Sequence, residues 1–444
     1  MSPKHTAPLF PVTKLSRCLA ISLALALSPA LVAAQQKAAA PAPSSGTAAA
    51  AAPAAGTSAK GTAAAPAAGA AGAVTPAPDA SGGMFTVSQL SKIPVPDLTA
   101  TAWLSLDATS DQIIAADNGN QMIEPASLTK IMSTYVIFQA LANKRLALDQ
   151  MVNVSEKAWR TGGSRMFIKV GTQVSVQNLL QGIIVQSGND ATVALAEAVA
   201  GSESAFAAMM NQEAARMGLT HTHFVNSTGL PEPGHETTVH DLAVMADHLV
   251  TDFPQYLHFY GEKEFTYNNI KQHNRNRLLW SDPTVDGLKT GHTSEAGYCL
   301  VATALRDGRR VVTVVVGAPS DAARAENSLK LLNWSYQNFD TVKVLDDSKP
   351  LLQARVWEGK AKTVGLGKTV PVWVTVPRGK SADIKSEAHY TQPLLAPLAK
   401  GAKVGTVTFS LDGKVLREEP LLVMSAVPQA GFFGRMIDKI RLIF

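Results

Sequence analysis

The sequence is short of cysteine, of long apolar runs and of metal-ligand clusters, and each shortage narrows what the chain can do. Cys18 and Cys299 are the only cysteines in 444 residues. Cys18 sits in an N-terminal leader, so loss of the leader leaves Cys299 alone and excludes an intramolecular disulfide. Flanked by Tyr298, Leu300 and Val301, Cys299 reads as a buried strand residue. The apolar run Leu19–Ala30 is too short to span a bilayer. His221, His223, His235 and His240 fit no zinc-ligand spacing and read as structural or solvated. Residues 1–34 contain no acid, and Lys4, Lys14 and Arg17 supply three of the five net positive charges. The remainder, near +2, has no basic stripe interleaved with aromatics, which argues against nucleic acid as a partner.

What is present divides the chain. Three cations, the apolar run and Val32-Ala33-Ala34 form a secretory leader with cleavage after Ala34, so residues 1–34 read as a signal peptide. Residues 35–84 are dominated by Ala, Pro, Gly, Ser and Thr. Such a stretch buries too little apolar surface to offset its ordering entropy, and predicts a disordered tether spanning on the order of 40 Å. A folded domain is expected over 85–345. Trp103–Asp107 and Gln112–Ala116 read as strands around Ala108-Thr109-Ser110-Asp111. Gln177–Val185, Ala191–Ala200 and Glu203–Met217 read as helices, and Gly297–Leu305 with Arg310–Val316 as a hairpin around Asp307-Gly308. Ser328–Phe339 reads as a closing helix. Strands from both ends of the domain with helices between them predict an α+β fold: one antiparallel sheet covered by helices, with a helical subdomain beside it. The composition changes near Asp346, and the short alternating runs over 346–428 predict a small all-β domain.

Chemistry concentrates at Glu124-Pro125-Ala126-Ser127-Leu128-Thr129-Lys130, read as the start of a buried helix with Pro125 in its first turn. Three residues apart, Ser127 and Lys130 share a helix face. A serine hydroxyl needs a base to become a nucleophile, and a lysine amine becomes that base when burial lowers its pKa. Two further motifs accompany them. Ser187-Gly188-Asn189 lies in a loop between helical runs, 60 residues after Ser127. Lys289-Thr290-Gly291 opens strand-like sequence 102 residues later, where Gly291 is expected to clear space for a substrate backbone.

Ser-x-x-Lys, Ser-x-Asn and Lys-Thr-Gly in this order resemble the signature of penicillin-binding proteins and class A β-lactamases, with Gly188 where that signature has Asp. From about Phe85 to Phe444 the chain is similar to D-alanyl-D-alanine carboxypeptidases of the low-molecular-mass penicillin-binding protein 5 and 6 group. The stretches carrying this are 126–132, 186–191, 286–293, Phe224-Val225-Asn226-Ser227-Thr228-Gly229-Leu230 and Asn274-Arg275-Asn276. The tether is longer than that group leads one to expect. The resemblance implies a serine β-lactamase/transpeptidase-like catalytic domain and removal of the terminal D-alanine from peptidoglycan pentapeptide stems. It also implies covalent inhibition by β-lactams, with no metal or cofactor. It makes Ser127 the nucleophile, Lys130 its general base and Ser187 a proton relay. Asn189 would hold the substrate amide, and Lys289, Thr290 and Arg275 the terminal carboxylate. Backbone N–H groups of Ser127 and His292 would form the oxyanion hole. Asp190 reads as a helix cap and Asp286 as a turn residue.

Three alternatives compete: a DD-endopeptidase, a β-lactamase and a non-catalytic wall-associated scaffold. A β-lactamase needs a deacylating glutamate, and the sole Glu-x-x-x-Asn spacing between Ser187 and Lys289, Glu264 to Asn268, has a strand-like interior. Over 429–444, Phe432, Phe433, Met436, Ile437, Ile440, Ile443 and Phe444 recur at helical spacing, with Arg435, Asp438, Lys439 and Arg441 on or near the other side. Fifteen helical residues span about 22 Å, less than a hydrocarbon core, so this segment is expected to lie in a lipid surface. The expected location is the periplasmic face of the inner membrane.

Overall fold

The computed structural model describes residues 85–443; the expected signal peptide, the whole of the tether and Phe444 lie outside the described residues. Strands β1 (Ala102–Asp107) and β2 (Gln112–Asp117) form the first hairpin. Five long helices follow: α1 (Lys130–Ala142), α2 (Val176–Val185), α3 (Asn189–Ala200), α4 (Glu203–Arg216) and α5 (Val239–Asp252). The chain then returns to the sheet through β3 (Val285–Thr293), β4 (Gly297–Arg306) and β5 (Arg309–Ala318), and α6 (Asp321–Asn338) covers it. The sheet order is β2-β1-β5-β4-β3, antiparallel throughout. Asp307 and Gly308 both adopt positive φ, as the two-residue turn between β4 and β5 requires.

Alternation along the strands builds two cores. Leu104, Leu106, Val312, Val314 and Val316 face the helices α1 to α5. Trp103, Val311, Val315, Leu300 and Ala302 face Leu331, Leu332 and Trp334 of α6. Helix α1 is buried at eleven of thirteen positions, matching the near-continuous apolar run that follows Lys130. Serine and threonine side chains start four others: Ser175, Ser202, Thr238 and Ser320 each accept an N–H from the first turn of α2, α4, α5 and α6.

Four expectations change. Helix α6 begins at Asp321, not Ser328, because Ser320 caps it, and its polar first turns carry no apolar periodicity. The Ser127 turn is not yet α-helix: Ala126–Thr129 is a 3-10 turn with Pro125 at its cap, and α1 proper begins at Lys130. Asp286 is no turn residue. It lies within β3, and both its carboxylate oxygens accept from Arg310 at 2.8 Å. The β region begins at Phe339, not Asp346, because β6 (Phe339–Leu345) follows α6 directly and pairs with a strand of that region. The composition changes only after that strand has ended.

The β region continues with β7 (Leu352–Trp357), β8 (Thr363–Gly367), β9 (Val372–Pro377), β10 (Lys385–Tyr390), β11 (Leu394–Leu395), β12 (Lys403–Leu411) and β13 (Lys414–Val423). Strand β6 pairs with β9, and the others form a sheet ordered β10-β12-β13-β8-β7-β11. Polar side chains join this region to the catalytic part. Asp107, fully buried, accepts from Arg309 Nε at 2.6 Å and from the Thr341 hydroxyl. Ser110 and Gln112 meet Thr375, and Arg417 reaches Ser110 O and Asp111.

Removing one partner of a buried charge pair leaves the other uncompensated. Asp107→Ala should therefore cost about 3–5 kcal/mol in urea-induced unfolding. An unchanged midpoint would show that the network does not hold the two regions together.

Candidate active site

The site forms where the 3-10 turn, the α2–α3 loop, strand β3 and the loop 223–236 converge. Ala126 precedes Ser127 with φ +48°, in the left-handed region that residues with a Cβ rarely occupy. Neighbours hold it there. Gly229 lies so close that a Cβ on it would sit 1.8 Å from Ala126 O. Gly291 of β3 also faces this turn: a Cβ would meet Ala126 Cβ and Leu128 Cγ at 3.3 Å. The missing side chain of Gly291 thus lets β3 pack against the nucleophile's turn, which adds a structural reason to the expected one.

Lys130 is fully buried. Its Nζ lies 2.9 Å from Ser127 Oγ, 2.7 Å from Asn189 Oδ1 and 2.6 Å from Thr228 O. Burial first, and the Arg275 charge second, push its pKa down from 10.5 to about 7, while Asp190 pulls the other way. Asn189 Oδ1 and Thr228 O can only accept. A neutral amine therefore gives its two N–H bonds to them and leaves its lone pair facing the Ser127 hydroxyl, the arrangement a general base needs.

Ser187 adopts φ +63°, and its buried Oγ has no hydrogen-bond partner among the described residues. Asn189 Oδ1 holds Lys130, and Nδ2 uses one of its two hydrogens on Gly162 O at 2.7 Å, which leaves the other for a further acceptor. Gly188 belongs where it is, because a Cβ there would lie 2.9 Å from Asp190 Oδ1 and 3.1 Å from Met166 N. Asp190 is more than a cap: its carboxylate accepts from the N–H groups of Met166, Phe167, Ile168 and Ala191. It ties down the loop whose Gly162 and Ser164 carbonyls hold Asn189.

A cleft of about 600 Å³ opens in front of these groups, lined among others by Ser127, Ser187, Arg275, Thr290, Gly291 and His292. Lys289 lies behind it, buried, with Nζ donating to Thr290 O at 2.9 Å. Burial and the charges of Lys130, Arg275 and Arg324 hold its pKa well below the usual lysine value. Arg275 is exposed on the cleft wall. Among the described residues the lining's only carboxylate, Asp321, is taken by Arg277 and Arg324. The His292 ring packs against Tyr298 with centres 4.1 Å apart and planes tilted by 38°. Glu264 is in a hairpin strand and pairs with Lys271 at 2.8 Å, so it is not part of the cleft.

The family model for D-alanyl-D-alanine carboxypeptidase matches residues 88–320. The chain belongs to this family. It is a serine-type carboxypeptidase by that membership, and a second model, the C-terminal domain of penicillin-binding protein 5, matches residues 339–429. The chain is 44% identical over 360 residues to the D-alanyl-D-alanine carboxypeptidase DacC of Escherichia coli K12, covering 79% of this chain and 90% of that one. Penicillin binding protein 5 of Haemophilus influenzae superposes with a TM-score of 0.73 at 41% identity, covering 76% of this chain and all of that structure. Penicillin binding protein 6B of Escherichia coli gives 0.62 at 38%, covering 74% and 97%.

Sequence reasoning missed Thr228, which acts through its backbone carbonyl and so has no side-chain signature, and Arg324. That arginine is buried in α6 and donates to Gly291 O at 3.1 Å, bracing the strand that carries Lys289 and Thr290. No spacing rule links it to the motifs.

The lowered Lys130 pKa has a direct test. In protein labelled with 13C at lysine Cε, one resonance, absent from Lys130→Arg, should titrate near pH 7. Below that pH Lys130 is an ammonium, and above it the neutral base. A Lys130 midpoint above 9 would contradict the assignment.

Proposed function

We propose that this carboxypeptidase removes the terminal D-alanine from peptidoglycan pentapeptide stems through a Ser127 acyl-enzyme, and that β-lactams acylate the same serine. The observation carrying this reading is the buried Lys130 amine 2.9 Å from Ser127 Oγ with its two other partners both acceptors. Ser127 Oγ attacks the penultimate carbonyl and its proton passes to Lys130 Nζ. The carbonyl oxygen becomes an oxyanion, held by the N–H groups of Ser127 and His292, each donor worth roughly 3–4 kcal/mol. The C–N bond breaks, and the unpartnered Ser187 hydroxyl relays a proton to the departing amine, giving up its own and taking back the one that Lys130 received, so that Lys130 returns to the neutral amine. Arg275 and Thr290 on the cleft wall, with Lys289 behind them, hold the terminal carboxylate. Asn189 keeps Lys130 in place. A water molecule then cleaves the ester with the proton flow reversed.

Among the described residues the cleft offers no free carboxylate base for rapid hydrolysis of a penicilloyl ester, since Asp321 is held by two arginines. That favours a long-lived adduct over β-lactamase turnover. Wild-type protein should release D-alanine from a pentapeptide and carry one penicillin adduct by mass spectrometry. Ser127→Ala should lack both, with release down by at least about 10³-fold. Adduct formation should accelerate as pH rises through about 7, as the neutral fraction of Lys130 grows. Undiminished release by Ser127→Ala would refute the nucleophile.

We further propose that the enzyme is exported by its leader and rests on the periplasmic face of the inner membrane through α7 (Phe432–Ile443). Among the described residues no single helix is long and apolar enough to cross a membrane. Phe432, Phe433, Met436, Ile437, Ile440 and Ile443 of α7 are all exposed, Phe433 and Ile443 by 74% and 79%. Its polar side is turned to the protein: Asp438, 1% exposed, accepts from Glu358 N at 2.9 Å and Lys362 Nζ at 3.3 Å. An outward apolar face rimmed by Arg435, Lys439 and Arg441 suits an anionic lipid surface. Deletion of residues 430–444 should yield a soluble enzyme with unchanged activity on soluble peptide. Sedimentation of that truncated protein with membranes would refute the anchor.

A further inference from the structure

From the hydrogen bonds behind the nucleophile we infer that His235 is a positioning residue for acylation, acting through the Thr129 hydroxyl on the turn that carries Ser127 and Lys130. The inference rests on the reading of Ser127 and Lys130 as nucleophile and base. Thr129 fills an unspecified position of Ser-x-x-Lys, and His235, outside all three motifs, lies 106 positions from it in the chain.

Thr129 Oγ1 donates to Ala126 O at 2.8 Å. Its single proton is thereby used, so His235 Nε2, 2.8 Å away, must be the donor to Oγ1. At the other side of the ring, His235 Nδ1 faces the N–H groups of Val225 and Asn226 at 3.0 and 3.4 Å. These can only donate, so Nδ1 is an acceptor. Both ends of the ring demand the same state: neutral, with the proton on Nε2. Protonation would set an Nδ1–H against two N–H groups. The surroundings oppose it too, since His235 is 3% exposed and its burial, with the charges of His223 and Lys130, presses its pKa down to about 4. The ring is therefore a fixed bridge between the loop 223–236 and the nucleophile's turn at any pH where Lys130 can act as a base.

What the bridge holds is the reacting geometry. The Ala126 carbonyl, pinned by Thr129, belongs to the residue kept at φ +48° immediately before Ser127. The bridged loop also supplies Thr228 O to Lys130 Nζ, Ser227 O to Ser133 Oγ at 2.6 Å, and the Gly229 surface against Ala126. One imidazole thus sets the spacing between the Ser127 turn and the loop that fixes the Lys130 lone pair. A shift of this spacing misaligns nucleophile and base together, and leaves Arg275 and the cleft wall where they are.

The test is a double-mutant cycle read by stopped-flow acylation with a fluorescent penicillin. Thr129→Val keeps shape and loses the hydroxyl. His235→Asn can keep an acceptor near Nδ1 and loses the Nε2 donor. Each should lower the acylation rate constant roughly 10- to 100-fold, the cost of a misplacement of about 1 Å, while leaving non-covalent affinity for the penicillin unchanged. Because both break one bridge, the double variant should be no slower than the slower single one. His235→Gln, able to present a donor near Nε2, should recover part of the rate. Multiplicative losses in the double variant, or acylation by Thr129→Val within about twofold of wild type, would overturn the proposal. Should His235→Asn fail to fold, Thr129→Ser against Thr129→Val decides alone: serine restores the hydroxyl and should restore the rate, and equal rates refute the bridge. An absence of acylation in wild type would instead refute the reading of Ser127.

Discussion

Everything at the centre of this molecule answers to one constraint, a lysine amine buried within the protein. The fall of the Lys130 pKa from 10.5 to about 7 corresponds to roughly 5 kcal/mol of lost preference for the charged form. An amine so placed must still satisfy its hydrogens, and Asn189 Oδ1 and Thr228 O do so. The positive neighbours have a double consequence. Arg275 helps keep Lys130 neutral, and the same guanidinium lines the cleft wall proposed to receive the anionic substrate terminus. A carboxylate arriving there offsets that charge, and by the same electrostatics raises the proton affinity of Lys130. The anion site and the base are thus linked, so that the amine becomes the better proton acceptor once substrate is present.

Holding the amine requires backbone that no regular element supplies. Thr228 offers a carbonyl from a loop, Ala126 and Ser187 both occupy the left-handed region, and Asp190 collects four N–H groups to fix the loop that in turn fixes Asn189. Strained residues persist only where their surroundings over-determine them. Gly229, Thr129 and Gly291 do this for Ala126, each by close approach or a hydrogen bond. The rigid helices α1 and α3 provide the frame, and the loops between them the chemistry.

The parts of this arrangement legible in the sequence are those written in side chains at short range. Ser127 and Lys130 could be paired from their spacing alone, and the Asp307-Gly308 hairpin from its turn residues. The alternation in β5 and the outward apolar face of α7 were equally plain. The family resemblance drew Ser187, Lys289, Thr290, Arg275 and His292 to one site and gave Asn189 to the substrate amide; what it did not show is that Asn189 Oδ1 also holds Lys130. Contacts made by backbone or across long separations left no pattern to read. Thr228 contributes a carbonyl, Arg324 braces β3 from another element, and His235 reads as one more histidine until its two ring nitrogens are seen to face a hydroxyl and two amides. The start of the β region was misplaced because β6 follows α6 without a break, ahead of the change in composition.

The β region is attached in a way that bears on how the cleft meets its substrate. An apolar interface would tolerate sliding, whereas a buried carboxylate such as Asp107, with Arg309, Thr341 and the N–H groups of Thr109 and Ser110 all directed at it, specifies one geometry. Gln112 adds a second pin by accepting Thr375 N at 2.7 Å. At the far end α7 is pinned in the same manner, through Asp438 to Glu358 N and Lys362. Both junctions rest on a buried acid receiving several donors, so neither is a swivel. If the outward face of α7 lies in a lipid surface, the cleft is held at one height and tilt above it. Reach toward the wall is then set by the length of the β region, and not by a flexible connection at its C-terminal end.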